Sequence, residues 1–202
     1  SDSSSPALAD PSPGHEMIGR YQVVGLLGAG GFGRVYHARD AHLDRDVAIK
    51  VPHQQPANDA EFHAFLREAR IAASIDHPAI VPVFDAGKTD DGECYVVSKL
   101  IKGRTLADRI HDSRVEHPEA VRIVMTVAEA LHDAHARGLV HRDIKPANIL
   151  LDEESHPYLA DFGLALRGRG EAGRRSFAGT PAYMSPEQAR GESHRVDRRS
   201  DI

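Results

Sequence analysis

The chain has 202 residues, of which 41% are hydrophobic and 27% charged, the composition of an ordinary globular protein of one domain or two small lobes. Its net charge of −5 does not suggest nucleic acid as a partner, and its single cysteine, Cys94, excludes an internal disulfide framework. No stretch approaches the roughly eighteen apolar residues of a membrane-spanning helix, so we expect no membrane segment in this chain.

The N-terminal half is predicted to be rich in strands. Residues 1–17 are mostly serine, proline and other polar residues, so we expect them to be disordered, because they cannot bury enough apolar surface to offset the entropy of ordering. Residues 58–75 place apolar side chains at helical spacing and predict one helix. Strands are predicted where β-branched and aromatic residues cluster, at 21–28, 34–40, 46–52, 80–88 and 93–100.

The C-terminal half is predicted to be mostly helical. The strongest helix covers residues 118–137, begins at Pro118 and is ended by Gly138. Its polar side chains form one narrow stripe, so we expect neighbours on more than one side of it.

A glycine-rich motif, G-x-G-x-x-G, begins at Gly28 and ends at Gly33. Dinucleotide-binding folds use the same spacing, but there a helix follows the glycines directly. Here the following residues predict a strand, so the glycines are placed in a hairpin whose backbone amides can cover phosphates. A glycine-rich turn without a ligand is the alternative.

Lys50 lies in an otherwise apolar predicted strand, where an unpaired charge is costly. Glu68 lies on the predicted helix 58–75, among its apolar positions. We expect the two to pair, which would hold Lys50 over the α- and β-phosphates of a nucleotide. The alternative is that Glu68 pairs on the surface with Arg67 or Arg70.

Two motifs in the C-terminal half carry most of the functional signal. Residues 141–148 read HRDIKPAN and residues 161–163 read DFG. They combine a base, a positive charge and two oxygen ligands for magnesium, the groups that phosphoryl transfer requires. A basic surface loop without chemistry is the alternative for 141–148.

The full set of motifs resembles the eukaryotic-type serine/threonine protein kinases, in their bacterial branch. The set adds GAGGFGRV at 28–35, VAIK at 47–50, Glu68, GTPAYMSPE at 179–187 and Asp201 to HRDIKPAN and DFG. The resemblance covers about residues 18–202. Kinases of small molecules generally lack a segment like GTPAYMSPE, which favours protein substrates.

The resemblance implies an α+β, two-lobed protein-kinase-like fold. The N-lobe, about residues 18–100, is an antiparallel β-sheet with one main helix, and the C-lobe, about 101–202, is mostly helical and incomplete. In the family, later helices cover the helix at 118–137, so we expect this chain to be marginally stable alone. A truncated, inactive regulator that binds a nucleotide or a partner is therefore the alternative function.

The expected function is ATP-dependent phosphorylation of serine and threonine in proteins. The resemblance implies that Asp143 accepts the substrate proton, that Lys145 neutralises charge on the phosphoryl group, and that Thr180 bonds both. Asn148 and Asp161 would hold Mg²⁺, or Mn²⁺. The residues implied to bind ATP are Leu27, Gly28, Ala29, Gly30, Gly31, Phe32, Gly33, Val35, Ala48, Lys50, Glu68, Ser98, Lys99, Ile101 and Leu150.

The resemblance also implies regulation by phosphorylation. Arg142 would pair with a phosphate on the segment that follows DFG, whose hydroxyl side chain between residues 164 and 178 is Ser176. We expect autophosphorylation at Ser176, for which kinase self-association is a suitable route. Partners are therefore protein substrates and not nucleic acid, and the expected location is the cytoplasm, with any membrane anchor in other parts of a longer parent.

Overall fold

The computed structural model describes residues 16–162 and 180–202. Its main sheet has six antiparallel strands, whose spatial order is β1-β2-β3-β4-β6-β5 once they are numbered along the chain. The strands are β1 (Met17–Ile18), β2 (Tyr21–Gly30), β3 (Gly33–Asp40), β4 (Arg45–Pro52), β5 (Val83–Lys88) and β6 (Cys94–Lys99). The five strands predicted from the sequence are confirmed as β2 to β6. The short strand β1 was not predicted, and since it contains Met17, the prediction that residues 1–17 are disordered is wrong at Met17.

The glycine motif forms the turn of the β2–β3 hairpin, in which Gly30 pairs with Gly33. Gly33 has a φ of 151°, and a Cβ built on it would lie 2.3 Å from the carbonyl oxygen of Val51 in β4. A side chain at Gly33 would therefore collide with the neighbouring strand, which is why this turn needs glycine there.

One helix, α1 (Asp59–Ala73), packs against the sheet. Asn58 caps its N-terminus, because its side chain accepts a hydrogen bond from the amide of Glu61. Phe65 and Ala69 are buried with Cys94 and Val96 of β6. The helix predicted at 58–75 is thereby confirmed, and its apolar face is the one that packs on the sheet.

The described residues after β6 contain the helices α2 (Leu106–Asp112), α3 (His117–Ala136) and α4 (Pro186–Ala189), which are joined by loops, short 3-10 turns and short strands. A small antiparallel sheet was not predicted, because its strands are only three or four residues long. It consists of β7 (Gly103–Thr105), β8 (Ile149–Asp152) and β9 (Pro157–Leu159).

The two parts share a continuous apolar core. Leu159 of β9 donates its amide hydrogen to Ala79 O at 2.8 Å, and its carbonyl accepts from Val81 N at 3.0 Å. Ala72 of α1 is buried in the same cluster as Leu159 and the packed face of α3. The cleft between the two parts is therefore bounded by elements that are joined at its back.

One face of α3 is packed and another is exposed. Val121, Val124 and Met125 are 47%, 67% and 59% exposed. The packed face consists of Ile123, Val127, Ala130, Leu131 and Ala134. Among the helices that the structure describes, none combines the length and apolar character needed to cross a membrane.

Candidate active site

A cleft of about 930 Å³ lies between the six-stranded sheet and β7–β8. Its volume is within the range of small-molecule sites. It is lined by every residue predicted to bind ATP except Glu68, and also by Lys145, Asn148, Asp161 and Thr180. The glycine turn, the lysine strand and the catalytic loop therefore face one space, although they are far apart in sequence.

The apolar walls of the cleft extend deeper than the sequence suggested. Val35 and Ala48 line it from the sheet, and Leu150 of β8 lines it from the other part. The cleft is also lined by four buried or half-buried residues that were not predicted, which are Ile80, Val81, Val83 and Val96. Val83 begins β5 and Val96 lies in β6, while Ile80 and Val81 come just before β5, so the apolar pattern of 80–83 and of β6 was the available signal.

Lys145 connects the predicted catalytic residues. Its Nζ lies 2.7 Å from Asp143 Oδ2 and donates a hydrogen bond to Thr180 Oγ1 at 2.8 Å. Asn148 Nδ2 donates to Asp143 Oδ2 at 2.8 Å and to the Asp143 carbonyl at 2.7 Å. The buried Oδ1 of Asp143 accepts no hydrogen bond from the described residues. One carboxylate oxygen is thus held by two donors, while the other keeps its capacity to accept a proton.

The turn of the glycine hairpin lies directly above this group. The ring centroid of Phe32 is 4.8 Å from Lys145 Nζ, which is the distance of a cation–π contact. Phe32 was predicted to bind the nucleotide, but its contact with the catalytic lysine was not.

The predicted Lys50–Glu68 pair is replaced by two other contacts. Lys50 Nζ lies 2.9 Å from Asp161 Oδ2, and Glu68 Oε1 lies 4.0 Å from Arg142 Nη1. The helical pattern indicated which face of α1 carries Glu68, but not how far that face lies from β4. Lys50 is only 12% exposed, so it forms its ion pair with the carboxylate that lies within reach.

His141 links the catalytic loop to the segment that carries Asp161. The amide of Asp143 donates to His141 Nδ1 at 3.2 Å, so Nδ1 is an acceptor and the ring donates from Nε2 to Ala160 O at 2.7 Å. Burial lowers the pKa of His141, and the hydrogen bond to Ala160 and the nearby carboxylates offset this only in part. The ring also makes an edge contact with Phe162 at 4.9 Å.

Asp201, for which only membership of the motif set was predicted, holds the backbone of the catalytic loop. Asp201 Oδ2 accepts from the amide of His141 at 2.8 Å, and Oδ1 accepts from the amide of Arg142 at 2.6 Å. His135 and Gln188 complete this support, since they contact Asp201 and the Arg142 carbonyl respectively. Neither was predicted, because residues far apart in sequence carry no local pattern that pairs them.

Asn148 and Asp161 are suited to hold a divalent metal ion. The amide nitrogen of Asn148 is committed to Asp143, so its Oδ1 remains as a ligand, and Asp161 keeps Oδ1 beside the oxygen that contacts Lys50. Two oxygen ligands fit a hard cation that binds chiefly through substrate phosphates and water. Among residues 16–162 and 180–202, no cluster of three or more metal-binding side chains forms a fuller site.

Ser176, the predicted phosphorylation site, lies outside the described residues.

Comparison with known proteins identifies the family. The model of the protein kinase domain matches residues 21–202. The chain is 42% identical to a probable serine/threonine-protein kinase of Streptomyces coelicolor over 194 residues, covering 91% of this chain and 28% of that protein. It is 43% identical to the serine/threonine-protein kinase PrkC of Bacillus subtilis over 182 residues, covering 88% of this chain and 28% of PrkC.

Solved structures agree with the sequence relatives. The PknI kinase domain of Mycobacterium tuberculosis superposes with a TM-score of 0.73 at 32% identity, covering 96% of this chain and 71% of that chain. The chain thus spans less than a third of the length of those two sequence relatives and most of a solved kinase domain. The chain therefore belongs to the protein kinase family, among the serine/threonine kinases of bacteria.

Proposed function

We propose that this chain transfers the γ-phosphoryl group of ATP to serine and threonine hydroxyls of protein substrates, assisted by Mg²⁺. The observation that carries the proposal is the position of Lys145, whose ammonium group contacts both Asp143 and Thr180 at the edge of the cleft. A cation beside a carboxylate with one open oxygen is what a transfer to a neutral hydroxyl requires.

The chemical step would use the open oxygen of Asp143. The substrate hydroxyl oxygen forms a bond to the γ-phosphorus, its proton passes to Asp143 Oδ1, and the bond to the β-phosphate oxygen breaks to release ADP. Lys145 balances the negative charge of the phosphoryl group as it moves. Because little other covalent chemistry is needed, the residues act mainly by positioning and by charge compensation.

Nucleotide binding would use the cleft between the two parts. Val35 and Ala48 would contact the adenine from one side and Leu150 from the other, while Lys99 and Ile101 would offer backbone groups to its edge. The backbone amides of the glycine turn and the ammonium group of Lys50 would contact the phosphates.

The family implies ATP and a divalent metal, and we assign the metal as Mg²⁺, with Mn²⁺ as the alternative that accepts the same oxygen ligands. Asn148 and Asp161 would hold it. When bound, the metal would supply positive charge that offsets the negative charge developing on the phosphates.

We further propose that the substrate class is protein serine and threonine, supported by the contact between Thr180 and Lys145. Autophosphorylation of Ser176 between two copies of the protein, with Arg142 as the group that pairs with the new phosphate, belongs to the same proposal.

The test is transfer of labelled phosphate from γ-labelled ATP to a generic protein substrate such as casein. Asp143→Asn should lower transfer by about 10²- to 10⁴-fold, the contribution of a general base. Asp91→Asn, in the exposed turn before β6, is the matched control and should transfer at the wild-type rate. Nucleotide binding without any transfer by the wild type would support the inactive regulator instead.

A further inference from the structure

We infer that Gln55 is a positioning residue for the glycine turn, and that it acts by bridging the end of β4 to β6. Gln55 lies in the connection between β4 and α1 and is half-buried, whereas its neighbour Gln54 is exposed. This inference rests on the proposed function, because it concerns the segment proposed to hold the ATP phosphates.

The side chain of Gln55 makes one short hydrogen bond to each of the two strands. Its Nε2 donates to the carbonyl oxygen of Pro52 at 2.6 Å, and its Oε1 accepts from the amide of Cys94 at 2.6 Å. A carbonyl oxygen can only accept and a backbone amide can only donate, so these partners fix the orientation of the side-chain amide. Both ends of that amide are thus committed to the bridge.

The bridge lies where direct pairing of the two strands ends. The pairing of β4 with β6 stops at Lys50 and Val96. The same register would place Pro52 opposite Cys94, but proline has no amide hydrogen and cannot complete that pair. The side chain of Gln55 takes over this position, and it supplies an acceptor for the amide of Cys94, a fully buried residue whose amide would be costly to leave without a partner.

The end of β4 in turn carries the glycine turn. Pro52 pairs with Gly33, and the amide of His53 donates to the carbonyl oxygen of Phe32 at 3.2 Å. The ring of Phe32 lies 4.8 Å from Lys145 Nζ. The position of the turn above the cleft therefore depends on the two residues at the end of β4, which the bridge holds at a fixed distance from β6.

The adenine walls of the cleft do not depend on this bridge. Ala48 lies in the middle of β4 and is paired on both sides, with His37 of β3 and with Ser98 of β6. Val35 is paired with Lys50 within the same ladder. Loss of the bridge should therefore weaken the contacts to the phosphates and leave the contacts to the adenine unchanged.

The experiment compares the affinities of ATP and adenosine for the full chain by isothermal titration calorimetry in the presence of Mg²⁺. Gln55→Met keeps the length of the side chain and removes both hydrogen bonds. It should weaken ATP binding about three- to tenfold, the effect of a lost hydrogen bond, while the affinity for adenosine stays within about twofold. Gln54→Met, at the exposed neighbour, is the matched control and should bind both ligands like the wild type.

Gln55→Glu tests the bond to Pro52 separately. Its carboxylate keeps an acceptor for the amide of Cys94 but turns a second oxygen, which has no hydrogen at neutral pH, toward the Pro52 carbonyl. We expect this variant to lose ATP affinity like Gln55→Met. If Gln55→Met does not fold, Gln55→Glu replaces it with the same expectation.

Hydrogen exchange of the nucleotide-free protein separates this inference from the proposed function. In Gln55→Met the amides of residues 28–36 should exchange about fivefold faster, while those of β8 and β9 keep the wild-type rate. If the wild type binds no ATP, the proposed function fails and this exchange decides the inference, which unchanged rates at 28–36 would overturn.

Where the wild type binds ATP, two results would overturn the inference. The first is an unchanged ATP affinity in Gln55→Met. The second is an equal loss of affinity for ATP and adenosine, because it would show that Gln55 supports the whole cleft and not the glycine turn.

Discussion

Lys50 and Asp161 form an ion pair across the cleft, with Lys50 Nζ 2.9 Å from Asp161 Oδ2. Lys50 comes from the middle of β4, and Asp161 follows β9 in the other part of the chain. The pair brings together the cation proposed for the phosphates and a carboxylate proposed for the metal. Because Lys50 is only 12% exposed, its charge acts in surroundings where solvent screens little.

Lys50→Met should therefore impair the use of ATP strongly. Charge-assisted hydrogen bonds are worth about 1.5–3 kcal/mol, which corresponds to a loss of about 10- to 150-fold in kcat/KM for ATP. Steady-state kinetics at varied ATP concentration measure this loss. Lys102→Met removes an exposed lysine between β6 and β7 and should have no effect. Equal kcat/KM in the two variants would contradict the role of Lys50.

Phe32→Ala should weaken the contact between the glycine turn and Lys145. The cation–π contact with Lys145 is worth about 0.5–1 kcal/mol at a partly exposed site, so kcat should fall about two- to fivefold. Phe32→Tyr retains an aromatic face and should match the wild type. Single-turnover transfer separates this effect from nucleotide binding, and identical rates in all three proteins would show that the contact contributes nothing.

The glycines of the motif should respond differently to alanine. In Gly33→Ala the new Cβ would lie 2.3 Å from Val51 O, at a φ that disfavours side chains, whereas no atom lies within 4 Å of a Cβ on Gly28. We expect Gly33→Ala to lower the free energy of unfolding by about 1–3 kcal/mol and Gly28→Ala to leave it nearly unchanged. Urea unfolding measures both, and a Gly33→Ala protein as stable as wild type would show that the strands shift apart without cost.

The fold could be predicted from the sequence where the pattern is local. Periodicity of apolar residues predicts the strand of Lys50 and the helix of Glu68. The glycine motif, VAIK and HRDIKPAN predict that these segments surround one nucleotide site, and they line one cleft. The Lys50–Asp161 contact, in place of the predicted Lys50–Glu68 pair, could not be predicted, because it depends on how far β4 lies from α1 and from the segment after β9, which tertiary packing decides. The same holds for His135, whose partner Asp201 lies 66 residues away.

His141 should make the protein less stable in acid. Its pKa in the folded state lies below the value of about 6.5 expected for the unfolded chain, so the unfolded state binds more protons. Its contribution to stability is complete above pH 6.5 and is lost as the pH falls from about 6.5 toward the folded pKa, at most about 1.4 kcal/mol per pH unit. His141→Phe should flatten this decline between pH 7 and 5, as measured by urea unfolding. His132→Phe, which replaces an exposed histidine, should keep the wild-type pH dependence.

Ser176→Ala should remove the proposed autophosphorylation. If the phosphate pairs with Arg142, it would compete with Glu68, which lies 4.0 Å from that guanidinium, and so would free Glu68 to approach Lys50. We therefore expect Ser176→Ala to stay at the activity of the unphosphorylated protein after incubation with ATP, while the wild type rises several-fold. Phosphopeptide mapping by mass spectrometry identifies the modified residue, and Ser113→Ala, in the loop after α2, is the control. An unchanged phosphopeptide map together with wild-type activation would assign the switch to another residue.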